Sequence, residues 1–395
     1  MARTKVVALL FGLFSNYAKG ALRGISSWVA LTGGWKCVLV NTLPTPSISL
    51  DPITVLKRQQ PDGVIAAITE KEIAHALREM AIPTVDICDW HPQYRFPRLQ
   101  PDDVAVGRMA AQHLLECHLI HFGFYGDFRV TWCRRRFEGF SQVLREAGFS
   151  CARFDAAQYA SRDWIAACWS SSTAELQTWI TRLPKPVGIL GASDQRGLHL
   201  LDACSERNIH VPEDVAILGV DNDTLLCELA QPPLSSVATD TERLGYEAAA
   251  LLDGLMRGAA APCQTILIAN RGVVTRQSTD MLAVGDPSVA AALRFIRDSH
   301  GKGISVGHVL ARIPESRRTL ERRFRQWLNR GIQEEIRRVR LERAAQLLRD
   351  TDLPLKALAT RAGFSSATRL SKAFHRVFDR PPRAYRMAFR ITKMD

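Results

Sequence analysis

Between residue 5 and about residue 220, short apolar runs rich in β-branched residues alternate with segments whose apolar positions recur every three to four residues. The runs KVVALLF (5–11), KCVLVN (36–41), GVIAAI (63–68), PTVDI (83–87), HFGFYG (121–126), PVGILGA (186–192) and VAILGVD (215–221) predict buried strands. Helical spacing fills 103–117, 134–147, 173–182 and 195–208. Strict alternation of the two predicts βαβ units and a parallel sheet covered by helices on both faces. About ten such strands are too many for one tidy sheet. The pattern therefore predicts two doubly wound halves, with the chain crossing near 97–101 and returning near 234–239. Ligands of open α/β sheets sit beyond the carboxyl ends of the strands, so two facing halves predict a cleft with a ligand between them.

The pattern changes after ANRGVVTRQSTD (269–280). Residues 281–286 predict a linker, and helical spacing then covers 287–299, 305–312, 316–328, 333–349, 354–361, 366–377 and 382–389. The expected domains are 1–280, α/β, and 287–390, all α. Within the second, SRRTLERRF (316–324) recurs as SATRLSKAF (366–374), so that Ser316 and Ser366, Leu320 and Leu370, and Phe324 and Phe374 correspond at a constant offset. Two copies of one supersecondary unit follow. Each Ser stands where a helix N-cap belongs. Leu320, Phe324 and Leu328, like Leu370, Phe374 and Phe378, predict a buried stripe. The opposite faces carry Arg318, Glu321, Arg322 and Arg325 in the first copy and Thr368, Arg369, Lys372 and Arg376 in the second. A short helix before each copy completes a helix-turn-helix.

Charge sharpens this division. Of the net +12, residues 291–395 hold +15, with 25 Lys+Arg against 10 Asp+Glu, and the remainder is slightly acidic. A basic block in a compact domain is the footprint of a polyanion, either nucleic acid or an acidic lipid surface. The nine cysteines include no CxxC pair, which argues against a disulfide framework or a zinc site. The opening MARTKVVALLF breaks at Gly12 without a small-residue cleavage site and predicts a first strand, not a signal peptide. No apolar run is long enough to span a membrane, and a cytoplasmic protein is expected.

The helical segment, through IxxxxxL at 304–310, SRRTLERRF, RVRLERAAQLLRDTDLPLKALATRAGF (338–364) and SxxxLSKAFHRVFDRPPRAYR (366–386), resembles the AraC/XylS class of DNA-binding domain. The resemblance implies two recognition helices entering successive major grooves, joined by a long helix at about 333–349. Arg318, Glu321, Arg322, Thr368, Arg369 and Lys372 are then candidates for base edges or phosphate, and Arg325, Arg376 and Arg383 for phosphate. At the first turn Ile313 and Pro314 stand where the second copy has Gly363 and Phe364, a departure that alters that turn because proline fixes φ and lacks a donor.

PDGVI (61–65), DDVAVGRMAAQHLLECH (102–118), RRRFEGF (134–140), ILGASD (189–194), VPEDVAILGVDND (211–223), PPLSSV (232–237) and GVVTRQST (272–279) resemble, in order and spacing, the effector domain of lactose-repressor-type regulators, whose fold is that of periplasmic sugar-binding proteins. Sugars need carboxylates and amides that pair with vicinal hydroxyls, and an aromatic face against the ring. Asp221, at the end of its strand, is the leading candidate ligand, with a loop cap as the competing role. The resemblance adds Arg136, Ser193 and Asp194, and Phe14, Asn16, Tyr17, Asp89 and Trp90 follow strands of the first half. The pairing of the two domains in this order resembles the xylose-operon regulators. It implies a small sugar effector, D-xylose or similar, promoter DNA, a homodimer, RNA polymerase as a partner and operon activation. No phosphate loop, HExxH or GxSxG occurs, so neither an enzyme nor a cofactor or metal is expected. A transport protein of the same fold would lack the basic end.

Overall fold

A computed structural model describes residues 3–12, 16–41, 51–158, 174–280, 286–299, 303–328, 330–351, 353–378 and 380–391. The chain divides into two units, Met1–Met281 and Leu282–Asp395.

In the first strand, β1 (Lys5–Phe11), Val7, Leu9 and Phe11 enter one core while Ala8 and Leu10 enter another. Side chains alternate across a strand, so a run that is apolar at every position needs cover on both faces. α1 (Asn16–Thr32) packs on one face, and α2 (Pro52–Gln59) and α3 (Lys71–Glu79) on the other. β2 (Trp35–Asn41), β3 (Gly63–Ala66) and β4 (Thr84–Asp86) complete an all-parallel sheet in the order β2-β1-β3-β4. Each fully buried large side chain, such as Phe11 or Leu10, contributes about 1.5–3 kcal/mol through burial.

The second lobe follows the short strand β5 (Leu99–Pro101) and opens with α4 (Asp103–Glu116). Its parallel strands are β6 (His121–Gly126), β7 (Cys151–Asp155), β8 (Val187–Gly191), β9 (Val215–Val220) and β10 (Ser235–Ala238). In β9, Ala216, Leu218 and Val220 face one core and Val215 and Ile217 the other. α4 and α5 (Thr131–Glu146) cover the first face, and α6 (Ala174–Arg182), α7 (Asp194–Glu206) and α8 (Thr224–Leu229) the second.

The structure has the chain cross near 97–101 and return after β10, as expected, and adds one further crossing. α9 (Thr241–Met256) follows β10 in the chain yet packs on α1 in the first lobe, through Leu244, Ala248 and Leu252. The chain must therefore cross a third time. It does so through β11 (Ile266–Ile268), which pairs in parallel with β5, and then adds β12 (Gly272–Val274) antiparallel to β10 at the edge of the six-stranded sheet β12-β10-β9-β8-β6-β7. Both late strands are three residues long, and Ile266, Leu267 and Val274 are exposed, so neither carries the buried-run signature.

The second unit is helical: α10 (Pro287–Asp298), α11 (Val306–Leu310), α12 (Arg317–Leu328), α13 (Ile332–Asp350), α14 (Leu355–Arg361), α15 (Ala367–Phe378) and α16 (Pro382–Ile391). It has two cores, one for each copy of the repeat. Leu320, Phe324 and Leu328 join Val309 in one; Leu370 and Phe374 join Leu358 and Tyr385 in the other. α13 serves both, giving Ile332, Ile336 and Val339 to the first and Leu341, Ala344, Ala345 and Leu348 to the second.

Candidate ligand cleft and nucleic-acid interface

β9 ends in two successive residues with left-handed backbone, Asp221 (φ 99°) and Asn222 (φ 49°). Such conformations are costly for residues with a Cβ and persist only where the surroundings impose them. Here Asp221 N–H donates to Val237 O at 2.9 Å and Asn222 N–H to Ser236 Oγ at 2.9 Å. Arg276 donates to Asn222 Oδ1 at 2.9 Å and to Leu234 O at 2.9 Å. The turn brings the Asp221 carboxylate within 3.3 Å of Arg136 Nη2.

Arg136 is 4% exposed. Its Nε donates to Asp103 Oδ1 at 2.8 Å and its Nη1 to Ala192 O at 2.6 Å, while the guanidinium lies 4.7 Å from the Trp132 ring centre. Burial opposes its charge, but Asp221 and Asp103 outweigh it and raise the pKa. Burial likewise pushes the Asp103 carboxyl up, to about 6, against the pull of Arg136. Close packing of α4 on α5 sets this geometry. A Cβ on Gly107 would lie 2.0 Å from Arg136 O, and one on Gly139 2.0 Å from Val104 O.

From the first lobe, Asn16 Nδ2 approaches Asn222 O at 3.5 Å, and Tyr17 OH donates to Ile87 O at 2.6 Å. Burial, then the neighbouring Cys88, Asp103, Asp86 and Asp221, raise the Tyr17 pKa, so the phenol stays a donor. Asp89 reaches across to Arg135 Nη1 at 2.9 Å and also meets Arg98 Nη1 at 3.1 Å. Trp90 packs against the second lobe's core. Asn16, Asp89 and Trp90 thus each touch the opposite lobe.

In the helical unit, Ser316 Oγ accepts from Thr319 N at 3.1 Å and Ser366 Oγ from Arg369 N at 3.2 Å, the capping role expected of both. Arg318, Arg322 and Arg325 on α12 are exposed, as are Thr368, Arg369, Lys372 and Arg376 on α15 and Arg383 on α16. The two turns differ as the sequence suggests. Gly363 adopts φ 79° and Phe364 N–H closes the end of α14 onto Ala359 O at 2.8 Å, whereas Pro314 has no N–H to donate and the buried Ile313 packs into the first core instead.

Residues 111–279 match a periplasmic binding protein-like domain and residues 311–388 a helix-turn-helix domain. The xylose operon regulatory protein of Haemophilus influenzae is 29% identical over 391 residues, 96% of this chain and 98% of the relative, and that of Escherichia coli (strain K12) is 29% identical over 388 residues, 96% of each. The HTH-type transcriptional regulator DegA of Bacillus subtilis is 30% identical over 286 residues, 71% of this chain and 82% of its own. The chain belongs to the helix-turn-helix transcription regulators that carry a periplasmic-binding-protein-like domain. A solved xylose-binding transcription activator matches this regulator with a TM-score of 0.79 and 28% identity, covering 98% of this chain and 99% of that one. A cellobiose-bound transcriptional regulator, at 23% identity and a TM-score of 0.56, shares the fold of the first unit, covering 70% of this chain and 85% of its own.

Three candidates of this regulator have hydrogen-bond partners within the protein. Ser193 Oγ caps α7 by accepting from Arg196 N at 3.3 Å. Ser193 is half-buried, whereas Asp194, wholly buried, accepts from Ser236 Oγ at 2.5 Å and Asp223 N at 2.6 Å and so supports the second lobe from within. Glu321 turns off the open face of α12 towards the start of α13, where its carboxylate meets Ile332 N at 3.4 Å, because helix N-termini attract negative charge. Phe14 lies outside the described residues. Sequence reasoning missed Asp103, Arg135, Asn222 and Arg276. The acidic pair Asp102-Asp103 was the available signal, since Asp102 caps α4 through Ala105 N and the next position turns inward. Among the described residues no group of three or more His, Cys, Asp or Glu could hold a metal ion, and no helix is long and apolar enough to cross a membrane.

Proposed function

We propose that this regulator binds a small sugar, D-xylose or a close relative, between its two lobes and changes its grip on promoter DNA in response. The observation that carries the reading is the buried Arg136 guanidinium standing behind an Asp221 carboxylate that remains 22% exposed at the mouth of β9. A sugar's vicinal hydroxyls both donate and accept, so an arginine donor beside an aspartate acceptor matches one hydroxyl pair. Asn16, Tyr17 and Trp90 supply the opposing wall, and Trp132 an aromatic surface. The names of the two full-length relatives and of the matching activator point to xylose as the sugar.

Arg318, Arg322, Arg369 and Lys372 are proposed to reach base edges or phosphates, Thr368 a thymine methyl, and Arg325, Arg376 and Arg383 phosphates. A homodimer formed through the first unit, which would bring two such faces to paired sites, and contact with RNA polymerase during activation extend the reading.

The test is Asp221→Ala, assayed for D-xylose by calorimetry and for operator DNA by fluorescence anisotropy. Charge-assisted hydrogen bonds contribute about 1.5–3 kcal/mol each, so losing two weakens sugar binding by roughly a hundredfold or more. Operator affinity without sugar should hold within about threefold. Unchanged sugar affinity removes Asp221 from the site, and lost basal DNA affinity means that it supports the fold.

A further inference from the structure

α4 touches the cleft at its first residue and the exit of the chain near its last. Asp103, at the N-terminal end, holds Arg136. Ten residues on, about 15 Å along a rigid helix, His113 Nε2 lies 2.8 Å from Thr279 Oγ1, and Cys117 Sγ lies 3.4 Å from Thr279 O. Thr279 is 1% exposed and stands two residues before this unit ends at Met281. A segment that close to a domain boundary is ordinarily held loosely. This one is tied down on every side. Thr279 Oγ1 donates to Ser235 Oγ at 2.8 Å; Ser278, fully buried, donates through Oγ to Ile217 O at 2.6 Å and accepts from Ser235 N at 2.8 Å. Because Ser235 Oγ donates to Arg276 O and Thr279 Oγ1 donates to Ser235, His113 is the donor to Thr279 and carries its proton on Nε2.

We propose that α4 is the strut that carries the state of the cleft to the chain exit, with the His113–Thr279 hydrogen bond as its output joint. The proposal rests on the cleft reading above and adds its route of regulation. A ligand that draws on Arg136 displaces Asp103, and with it the whole of α4, since a helix moves as a rigid body. The hydrogen bond at the far end transmits that shift to the residues leading out of the unit. A ligand changes an equilibrium only by favouring one arrangement over another, and this joint is where the two arrangements would reach the rest of the chain.

The experiment compares full-length wild type, Thr279→Val and Thr279→Ser, using D-xylose as the probe and a DNA duplex selected from random sequence by the wild type. Thr279→Val keeps the shape and removes the hydroxyl. It should bind D-xylose within about twofold of wild type, while the ratio of DNA affinities with and without sugar collapses towards one; Thr279→Ser should restore the ratio. An undiminished ratio in Thr279→Val overturns the strut, as does a ratio lost equally in Thr279→Ser. A wild type that ignores D-xylose overturns the effector reading instead. The three proteins are then compared in sugar-free DNA affinity, where a Thr279→Val value shifted threefold or more, and restored by Thr279→Ser, supports the joint, and a value equal to wild type overturns it.

Discussion

Arg134, Arg135 and Arg136 are consecutive and chemically identical, yet α5 gives each a different environment. Arg134 is exposed and donates to Phe128 O and Arg129 O, Arg135 reaches Asp89 across the cleft, and Arg136 is buried between two carboxylates. Successive helical residues point about 100° apart, so neighbouring positions cannot share a face. The run is visible in the sequence, but which arginine turns inward depends on the rotation of α5 against α4, and only the spacing shared with lactose-repressor-type regulators singled out Arg136. Asp194 makes the complementary point, since its burial was invisible and its chemistry follows from it. Burial, then the Asp221 charge, push its carboxyl up to about 8 from an ordinary 3.8, against the hydrogen bonds of Ser236 and Asp223. Between those values the folded form holds a proton that the unfolded chain has released, so this group's stabilisation is complete below the lower value and drains away as pH rises to the upper. Asp86 and Asp103, each raised to about 6 by burial, level off earlier. From pH 6 to 8 the wild type should therefore lose thermal stability in the ligand-binding unit, and Asp194→Asn should flatten that slope. An equally steep slope in the variant would place its origin elsewhere.

At the scale of elements, glycines inside helices divide into two kinds. Gly107 and Gly139 let α4 and α5 meet backbone to backbone, while a Cβ on Gly254 in α9 would meet nothing nearer than Ala259 Cβ at 3.6 Å. The same substitution should then have opposite signs. Gly107→Ala must push the helices apart and destabilise by about 1–3 kcal/mol, weakening sugar binding as Arg136 shifts. Gly254→Ala relieves the entropic cost of a helical glycine and should stabilise by up to about 1 kcal/mol. Chemical denaturation of both variants checks the contrast. The elements themselves were largely legible. Six of the seven predicted runs became strands buried on both faces, and KCVLVN became the edge strand β2, where Cys37 and Leu39 are exposed and no described strand covers the outer side; the offset between SRRTLERRF and SATRLSKAF gave two helices with matching caps and buried stripes. What escaped was long-range: the return near 234–239 was legible, but that α9 pairs with α1 and that the chain then crosses once more through β11 and β12 are choices of partner that local periodicity does not encode. β11 and β12 were hidden by their brevity and exposure. At α12 the fate of Glu321 was decided by α13, a neighbour that a single-helix view leaves out.

On the scale of the whole molecule, the charge is split as sharply as the fold, with +15 between residues 291 and 395 and slight acidity elsewhere. Association through such a face releases counterions and weakens steeply with salt, so operators are to be compared at one ionic strength. Under that condition, if both motifs contact DNA as proposed, the feature that sets which sequences fit is α13, whose nineteen residues run about 28 Å and whose two halves are built into different cores. A rod cast into both motifs fixes their phase as well as their distance. Two subunits joined by a slack tether tolerate a whole extra turn between their half-sites, because the tether lengthens while the grooves return to the same side. A ruler does not stretch. Inserting five base pairs between the halves read by one chain should abolish the contribution of the second motif, since the groove turns away by about half a revolution. Inserting ten restores the facing but carries the groove about 34 Å further along the duplex, and binding should stay as weak as with the first half alone. Recovery at ten base pairs, in an anisotropy titration, would show that the rod bends.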